Sequence, residues 1–154
     1  MCHFETAMAV ITELFSKDCV FALATASDNK PSVRMIDVYY EDGAFYMVTY
    51  ANSAKVKELE GNEKVALCSQ SYRFDGVARN IGHPSRPENS AVREKLIRVF
   101  APWYFKHNDE GDGDMCYVKI EPQHGFIYKD GTGYRVDFCN STAEAFPFTF
   151  DIVL

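Results

Sequence analysis

The spacing of apolar side chains over the first fifty residues predicts one helix followed by three strands. Within residues 5–17, apolar residues lie three or four positions apart, which is the period of an amphipathic helix. Runs rich in Val, Ile, Phe and Tyr then predict strands at 19–25, 32–40 and 44–50. Turn-forming residues separate these runs, at 27–31 and at Glu41-Asp42-Gly43, so we expect two hairpins.

The remaining chain alternates short strands with two more helices. Ser53 is placed to cap a short helix that Gly61 ends, and apolar residues on one face predict a longer helix at 88–100. Alternating Phe and polar residues over 146–154 predict a final strand at a sheet edge, because Pro147 lacks a backbone donor. The other strands are expected at 64–71, 74–81, 115–121, 126–130 and 134–138, with a hairpin at 131–133 between the last two.

The short turns between most of these strands make the predicted sheet mainly antiparallel. Seven or so short strands with few helices are typical of a small closed or half-closed barrel. A chain of 154 residues has the length of one domain. We therefore expect a single, mainly β domain over 1–154, with two to three flanking helices and with 139–154 as a C-terminal tail or edge strand.

Charge and composition narrow the classes of function. Acidic residues number 22 and basic residues 16, a net charge of −6 that argues against nucleic acid or an anionic membrane as the partner. No apolar run approaches the roughly 20 residues of a membrane span, and the N-terminus lacks the basic and apolar regions of a signal peptide. The five cysteines, an odd number without C-x-x-C spacing, suit a reducing compartment. We therefore expect a cytoplasmic location.

Metal binding is not expected from the pattern of potential ligands. The four histidines are scattered, without the spacing of a zinc site. The acidic loop at 107–114 lacks the residue pattern of a calcium loop, so we interpret it as solvated. Cys19, Cys68 and Cys116 lie in apolar runs and are expected to be small buried hydrophobic residues.

The segment with the clearest chemistry is the point where the third strand runs into the short helix. Asn52, Ser53 and Lys55 lie at the N-terminus of that helix, whose free backbone N–H groups favour an anion. Arg34 on the neighbouring strand can add a forked guanidinium, so a monophosphate site is one interpretation. The same residues also fit a plain N-cap at Ser53, a solvated Lys55 and an ion pair of Arg34 with Asp37 or a neighbouring residue.

These residues resemble a known family. Arg34-Met35-Ile36-Asp37, followed by Val48-Thr49-Tyr50-Ala51-Asn52-Ser53-Ala54-Lys55, is similar to the flavin signature of the pyridoxine 5′-phosphate oxidase-like FMN-binding split barrels. Phe21-Ala22-Leu23-Ala24-Thr25 and Asp28-Asn29-Lys30-Pro31 resemble the first hairpin of that family. The resemblance covers roughly residues 5–130 in element order, and the small general-stress-type members are the most similar. It implies an antiparallel split β-barrel of about six to eight strands.

The resemblance also implies a set of FMN-binding residues. Arg34, Ser53 and Lys55 would bind the phosphate, while the backbone of residues 35–37 would border the isoalloxazine ring. Thr49 would contact the flavin, and Gln70 is the nearest match to a glutamine of the family. With the neighbouring asparagine included, the expected cofactor-binding set is Arg34, Met35, Ile36, Asp37, Thr49, Asn52, Ser53, Lys55 and Gln70.

The family is homodimeric, so the resemblance implies two FMN sites at a subunit interface and contacts from the partner chain. Two departures bear on function. The usual S-R-K is Ser53-Ala54-Lys55 here, and the C-terminal arginine–histidine substrate motif of the true oxidase is missing, which argues against pyridoxine phosphate oxidase activity.

The expected function is therefore an FMN-dependent oxidoreductase acting on an unidentified small molecule. One alternative is a non-enzymatic flavin-binding stress protein or redox sensor. Another is a barrel that holds a deazaflavin, or a haem with His83 or His124 as the axial ligand.

Overall fold

Eight strands and four α-helices are present in the computed structural model, which describes residues 1–149. The helices are α1 (His3–Phe15), α2 (Ala54–Gly61), α3 (Ser90–Val99) and α4 (Tyr104–His107), with a 3-10 turn at Pro87–Asn89 before α3. The strands are β1 (Cys19–Ser27), β2 (Lys30–Glu41), β3 (Ala44–Tyr50), β4 (Lys64–Ser69), β5 (Tyr72–Gly82), β6 (Met115–Lys129), β7 (Thr132–Asp137) and β8 (Thr142–Pro147).

All strand pairs are antiparallel, and six of the strands close into a barrel. The sheet has the order β3-β2-β1-β4-β5-β6-β7-β8, and an additional β3–β6 ladder closes the ring of β1 to β6. The second half of β6 continues outward to pair with β7, and β8 follows β7 as the edge strand. The fold is thus the mainly β, antiparallel barrel that the sequence predicts.

The barrel is split between β2 and β3. These two strands pair only at 39–41 and 44–46, next to their connecting turn. Beyond that point β2 continues against β1 alone, and β3 continues against β6 alone. A gap therefore opens between residues 33–38 of β2 and residues 47–50 of β3, and this gap positions the candidate site.

Two apolar clusters hold the elements together. Inside the barrel, Phe15 of α1 packs among Phe21, Phe45 and Phe74 with ring centroids 5.2–6.0 Å apart. Outside it, α3 and α4 cover β3 and β6 through a second buried cluster that includes Leu96, Phe100 and Tyr104. Burial of large aromatic side chains is the main source of stability in such clusters.

The two strands predicted at 115–121 and 126–130 form one continuous strand, β6. Pro122 lies between the two predicted ranges, and β5 and β6 stay paired across it through a shift in register between Asp75 and Gly76. Gly76 makes this bulge possible, since a Cβ there would lie 2.2 Å from the carbonyl oxygen of Glu121.

Three smaller predictions were also wrong. The last strand begins earlier than expected, at Thr142, and Pro147 is its final residue, while the predicted continuation over 150–154 lies outside the described residues. The turn between β6 and β7 is formed by Asp130 and Gly131, both with positive φ. Cys68 is exposed, because it points to the outer face of β4, whereas Cys116 is buried and Cys19 is partly buried.

Candidate functional site

A cavity of about 500 Å³ occupies the split between β2 and β3. Met35, Ile36 and Asp37 line it from β2, and Met47 and Val48 line it from β3. Across this gap, neither strand edge has a strand partner within residues 1–149. Backbone donors and acceptors on such edges are available to a planar ligand with polar atoms on its rim.

Arg34 lies on the inner face of β2 and is not among the residues that line the cavity. Its Nη1 donates to Oγ1 of Thr25 at 2.6 Å and to the carbonyl of Leu23 at 3.3 Å. Its Nη2 is 3.4 Å from Oε2 of Glu58 on α2, so the ion pair that Arg34 forms is with Glu58 and not with Asp37. The Arg34 side chain keeps 25% of its surface exposed.

Lys55, in the first turn of α2, is the second cation of this region. We refer to Arg34, Ser53 and Lys55 together as the cation corner. Lys55 lines the cavity and is partly buried, yet no ion pair or hydrogen bond of its ammonium group is found within residues 1–149. Burial, and then the nearby charge of Arg34, lower the pKa of Lys55. A partly desolvated ammonium beside another cation is stabilised by an anion, so this corner is suited to a phosphate or carboxylate.

The remaining predicted residues lie at or beyond this corner. Ser53 caps α2, with its Oγ accepting from the backbone N–H of Val56 at 3.4 Å. Thr49 is buried at the end of β3, and Asn52 is exposed in the turn that follows. Gln70 lies elsewhere, in the β4–β5 turn with positive φ, and does not line the cavity.

Six cavity residues were not identified from the sequence as members of the site, and two of them, Met47 and Val48, lie on β3. Asp18 comes from the α1–β1 turn, and Trp103, His107 and Asn108 come from the segment around α4. Trp103 lies 85 positions after Asp18 in the sequence, and no local pattern shows that α4 folds back over the β2–β3 split.

Asp37 and Asp18 form a pair of carboxyl groups at the cavity wall. Burial, and then the side chain of Asp18, raise the pKa of Asp37 to about 6. Two carboxylates that share a site favour holding a proton between them. The cavity is therefore lined by the ammonium group of Lys55 and by a titratable carboxyl group, that of Asp37.

The two histidines proposed as haem ligands lie away from this cavity. Both ring nitrogens of His83 are occupied, by Oγ of Ser85 at 2.8 Å and by the carbonyl of Asp112 at 3.1 Å. His124 contacts Asp75 at 3.0 Å and lines a separate groove of about 830 Å³ on the outer face of β4 to β8. Neither residue is placed to ligate a group in the β2–β3 split.

Residues 1–149 contain no group of three or more His, Cys, Asp or Glu side chains arranged to hold a metal ion. None of their helices combines the length and the apolar character that crossing a membrane requires.

Comparison with known proteins places this site in a recognised fold. A family model described as pyridoxamine 5′-phosphate oxidase matches residues 8–129, which include β1, β2, β3 and α2. No curated protein sequence matches the chain.

Many solved structures share the fold. A NimC/NimA family protein from Clostridium acetobutylicum has a TM-score of 0.60 at 22% identity, with 92% of this chain and 94% of that chain covered. General stress protein 26 from Bacillus anthracis scores 0.58 at 20% identity (78% and 92% covered). A pyridoxamine 5′-phosphate oxidase-related, FMN-binding protein from Nostoc punctiforme scores 0.58 at 12% identity (97% and 98% covered). An F420 reductase and a haem storage protein from Vibrio cholerae are also structural neighbours, so the fold alone leaves the cofactor open.

Proposed function

Because the chain belongs to the pyridoxamine 5′-phosphate oxidase family, we propose that it binds FMN in the split between β2 and β3. The phosphate lies between Arg34, Ser53 and Lys55, and the ring lies along residues 35–37. The observation that carries this proposal is Lys55, a partly buried ammonium that lines the cavity beside Arg34 and has no anionic partner within residues 1–149.

The walls of the cavity suit the isoalloxazine ring. Met35, Ile36, Met47 and Val48 offer apolar surface to its faces. The unpaired edges of β2 and β3 offer backbone N–H and C=O groups to its polar rim. Trp103 adds an aromatic surface on the outer side of the cavity.

Redox chemistry follows from the cofactor, which supplies the electron and hydride transfer when it is bound. The chain's own residues bind the phosphate, orient the ring and restrict the access of water from the side of α4. We propose that the protein is an oxidoreductase for a small molecule that enters beside Asp37. A flavin carrier or redox sensor is the second candidate, and steady-state turnover distinguishes it from an oxidoreductase.

A homodimer would complete this site. Val20, Val33 and Met35 on the outer face of β1 and β2 are 51%, 69% and 65% exposed, an unusual set of large apolar side chains for a free surface. Met35 belongs both to this outer apolar strip and to the lining of the cavity. A second copy that covered the strip would therefore also close the cavity over the ring.

The cofactor proposal is tested by titrating the purified apoprotein with FMN. Arg34→Ala and Lys55→Ala are each expected to weaken binding about 10- to 100-fold, the range for losing one hydrogen bond to a charged group. Lys57→Ala is the matched control, since Lys57 is exposed on the same helix. If Arg34→Ala and Lys55→Ala both keep the circular dichroism spectrum of the folded protein and the wild-type FMN affinity, the phosphate lies elsewhere.

The absorption spectrum of the protein as isolated separates the possible cofactors. An oxidised flavin, a deazaflavin and a haem have different visible bands, and the proposal requires the flavin bands. A Soret band would contradict it.

Turnover separates the enzyme from the carrier. An enzyme is expected to oxidise a reduced nicotinamide in steady state with an added acceptor, at a rate that depends on bound FMN. A carrier or sensor would hold FMN without catalysing this reaction.

The proposed dimer is tested by sedimentation. Val33→Glu places a charge in the outer apolar strip without changing a cavity residue, so it is expected to yield monomers with weaker FMN binding. A monomeric wild-type protein that holds FMN tightly would contradict the dimer.

A further inference from the structure

Thr25 is a buried polar residue beneath the cation corner. It lies on β1 with 2% of its surface exposed, and its hydroxyl contacts two charged groups, Arg34 and Glu58. A hydroxyl has one proton to donate. Since the guanidinium of Arg34 can only donate, the hydroxyl accepts from Nη1 and donates its own proton to Oε2 of Glu58.

This arrangement determines which donors of Arg34 remain free. Both protons of Nη1 are used inside the barrel, by Thr25 and by the carbonyl of Leu23. Nη2 makes one contact, the longer one of 3.4 Å to Glu58. N–H donors on Nε and Nη2 are left for a ligand. These two nitrogens form one of the forks with which a guanidinium binds a phosphate.

Glu58 keeps the hydroxyl of Thr25 in the required orientation. Its carboxylate also accepts from Oγ of Ser32 at 3.5 Å, so three side chains hold it at the end of the barrel. The hydrogen bond from Thr25 is the main cause that lowers the pKa of Glu58, which keeps the carboxylate ionised and able only to accept.

We propose that Thr25 and Glu58 are positioning residues that direct the guanidinium of Arg34 toward the phosphate of the bound flavin. The inference rests on the FMN site proposed above. It assigns a role in phosphate recognition to two residues that do not touch the ligand. A different role for Glu58, as an internal anion that competes with the phosphate, predicts the opposite effect of its removal.

The experiment compares FMN with riboflavin, which has the same ring and no phosphate. Thr25→Val keeps the shape of the side chain and removes the hydroxyl, so FMN is expected to bind about tenfold more weakly while riboflavin affinity stays within about twofold. Thr25→Ser restores the hydroxyl and is expected to restore FMN binding. Urea midpoints of the apoproteins verify that each variant is folded.

Variants of Glu58 separate positioning from competition. The amide oxygen of Glu58→Gln can still accept from Thr25, so FMN is expected to bind at least as tightly as in the wild type. Glu58→Leu cannot accept, so FMN is expected to bind about tenfold more weakly. Glu60→Gln is the matched control, since Glu60 is exposed on the same helix.

Each contrary outcome overturns a defined part of the argument. Tighter FMN binding by Glu58→Leu would make Glu58 a competitor. Equal losses for FMN and riboflavin in Thr25→Val, or no loss for either, would leave Thr25 a structural residue only. A wild-type protein that binds neither FMN nor riboflavin would overturn the FMN site and this inference together. If the wild type binds FMN and Thr25→Val binds it with the same affinity, only the inference is overturned.

Discussion

The indole nitrogen of Trp103 donates a hydrogen bond to Oδ2 of Asp18 at 2.9 Å. This contact joins the segment between α3 and α4 to the α1–β1 turn, and both residues line the β2–β3 cavity. Trp103 is the single tryptophan of the sequence. Its environment is therefore a specific reporter of what enters the cavity.

FMN binding is expected to quench the fluorescence of Trp103 by more than half, because a flavin in the cavity lies within contact or energy-transfer range of the indole. The measurement is a titration of the apoprotein with emission followed near the tryptophan maximum, corrected for absorption by FMN with free tryptophan. Arg34→Ala is the control, since the same FMN concentrations are expected to leave its emission unchanged. Calorimetric FMN binding without quenching would place the flavin outside this cavity.

Asp37→Asn is expected to stabilise the protein at neutral pH. The pKa of Asp37 is raised to about 6 from its usual 3.8, so the native state binds the proton more tightly than the unfolded state between these two values. The free energy of unfolding therefore decreases as pH rises from about 4 to about 6. One pKa unit corresponds to about 1.4 kcal/mol, and solvent screening at this partly exposed group reduces the whole effect to about 1 kcal/mol.

Urea unfolding of the wild type and Asp37→Asn between pH 4 and pH 8 measures this effect. The stability difference is expected to be largest above pH 6 and to shrink toward pH 4, where Asp37 is protonated in both states. Asp28→Asn, a change at an exposed turn residue, serves as the control. A difference that does not vary with pH would show that Asp37 is not protonated in the native state at pH 5.

Gly76→Ala is expected to destabilise the barrel by about 1–3 kcal/mol or more. The new Cβ would lie 2.2 Å from the carbonyl oxygen of Glu121 and 2.8 Å from Cα of Pro122, so backbone would have to move. Gly61→Ala at the end of α2 is the matched control. It meets nothing within 4 Å and is expected to stabilise the protein by up to about 1 kcal/mol. Equal urea midpoints for the two variants would contradict the β5–β6 bulge.

Tyr104→Phe is expected to lower the free energy of unfolding by about 1–3 kcal/mol. The hydroxyl of Tyr104 donates to Glu110 at 2.9 Å and lies 2.5 Å from the hydroxyl of Tyr117, and both tyrosines are fully buried. Its removal deprives the buried Tyr117 hydroxyl of a partner.

Tyr39→Phe is the control for that change, because the hydroxyl of Tyr39 is only partly buried and its contact to Glu41 is 3.5 Å long. Its effect on the urea midpoint is expected to stay within about 0.5 kcal/mol. A loss as small as this in Tyr104→Phe would show that the Tyr104–Tyr117 contact contributes little to stability.

The residues of the cation corner could be predicted because two of them lie at a recognisable helix N-terminus. Ser53 caps α2 where a strand runs directly into a helix, and Lys55 follows within the first turn. Arg34 and Asp37 both lie on β2, and the alternation of side chains along a strand places these two on opposite faces. The pairing of Arg34 with Glu58 was not predictable, because it depends on where α2 packs against the end of the barrel.

Local patterns along the chain therefore determined α1, α2 and α3, most of the strands and the position of Lys55 at the start of α2, since each depends on residues a few positions apart. Only the tertiary structure decided that β2 and β3 separate after three residue pairs, that α4 and Trp103 cover the resulting gap, and that Thr25 and Glu58 hold Arg34. Those relationships join elements up to 85 positions apart, and they arise from the closure of the β3–β6 ladder and the packing of the helices on it. Neither periodicity nor propensity within a short window contains that information.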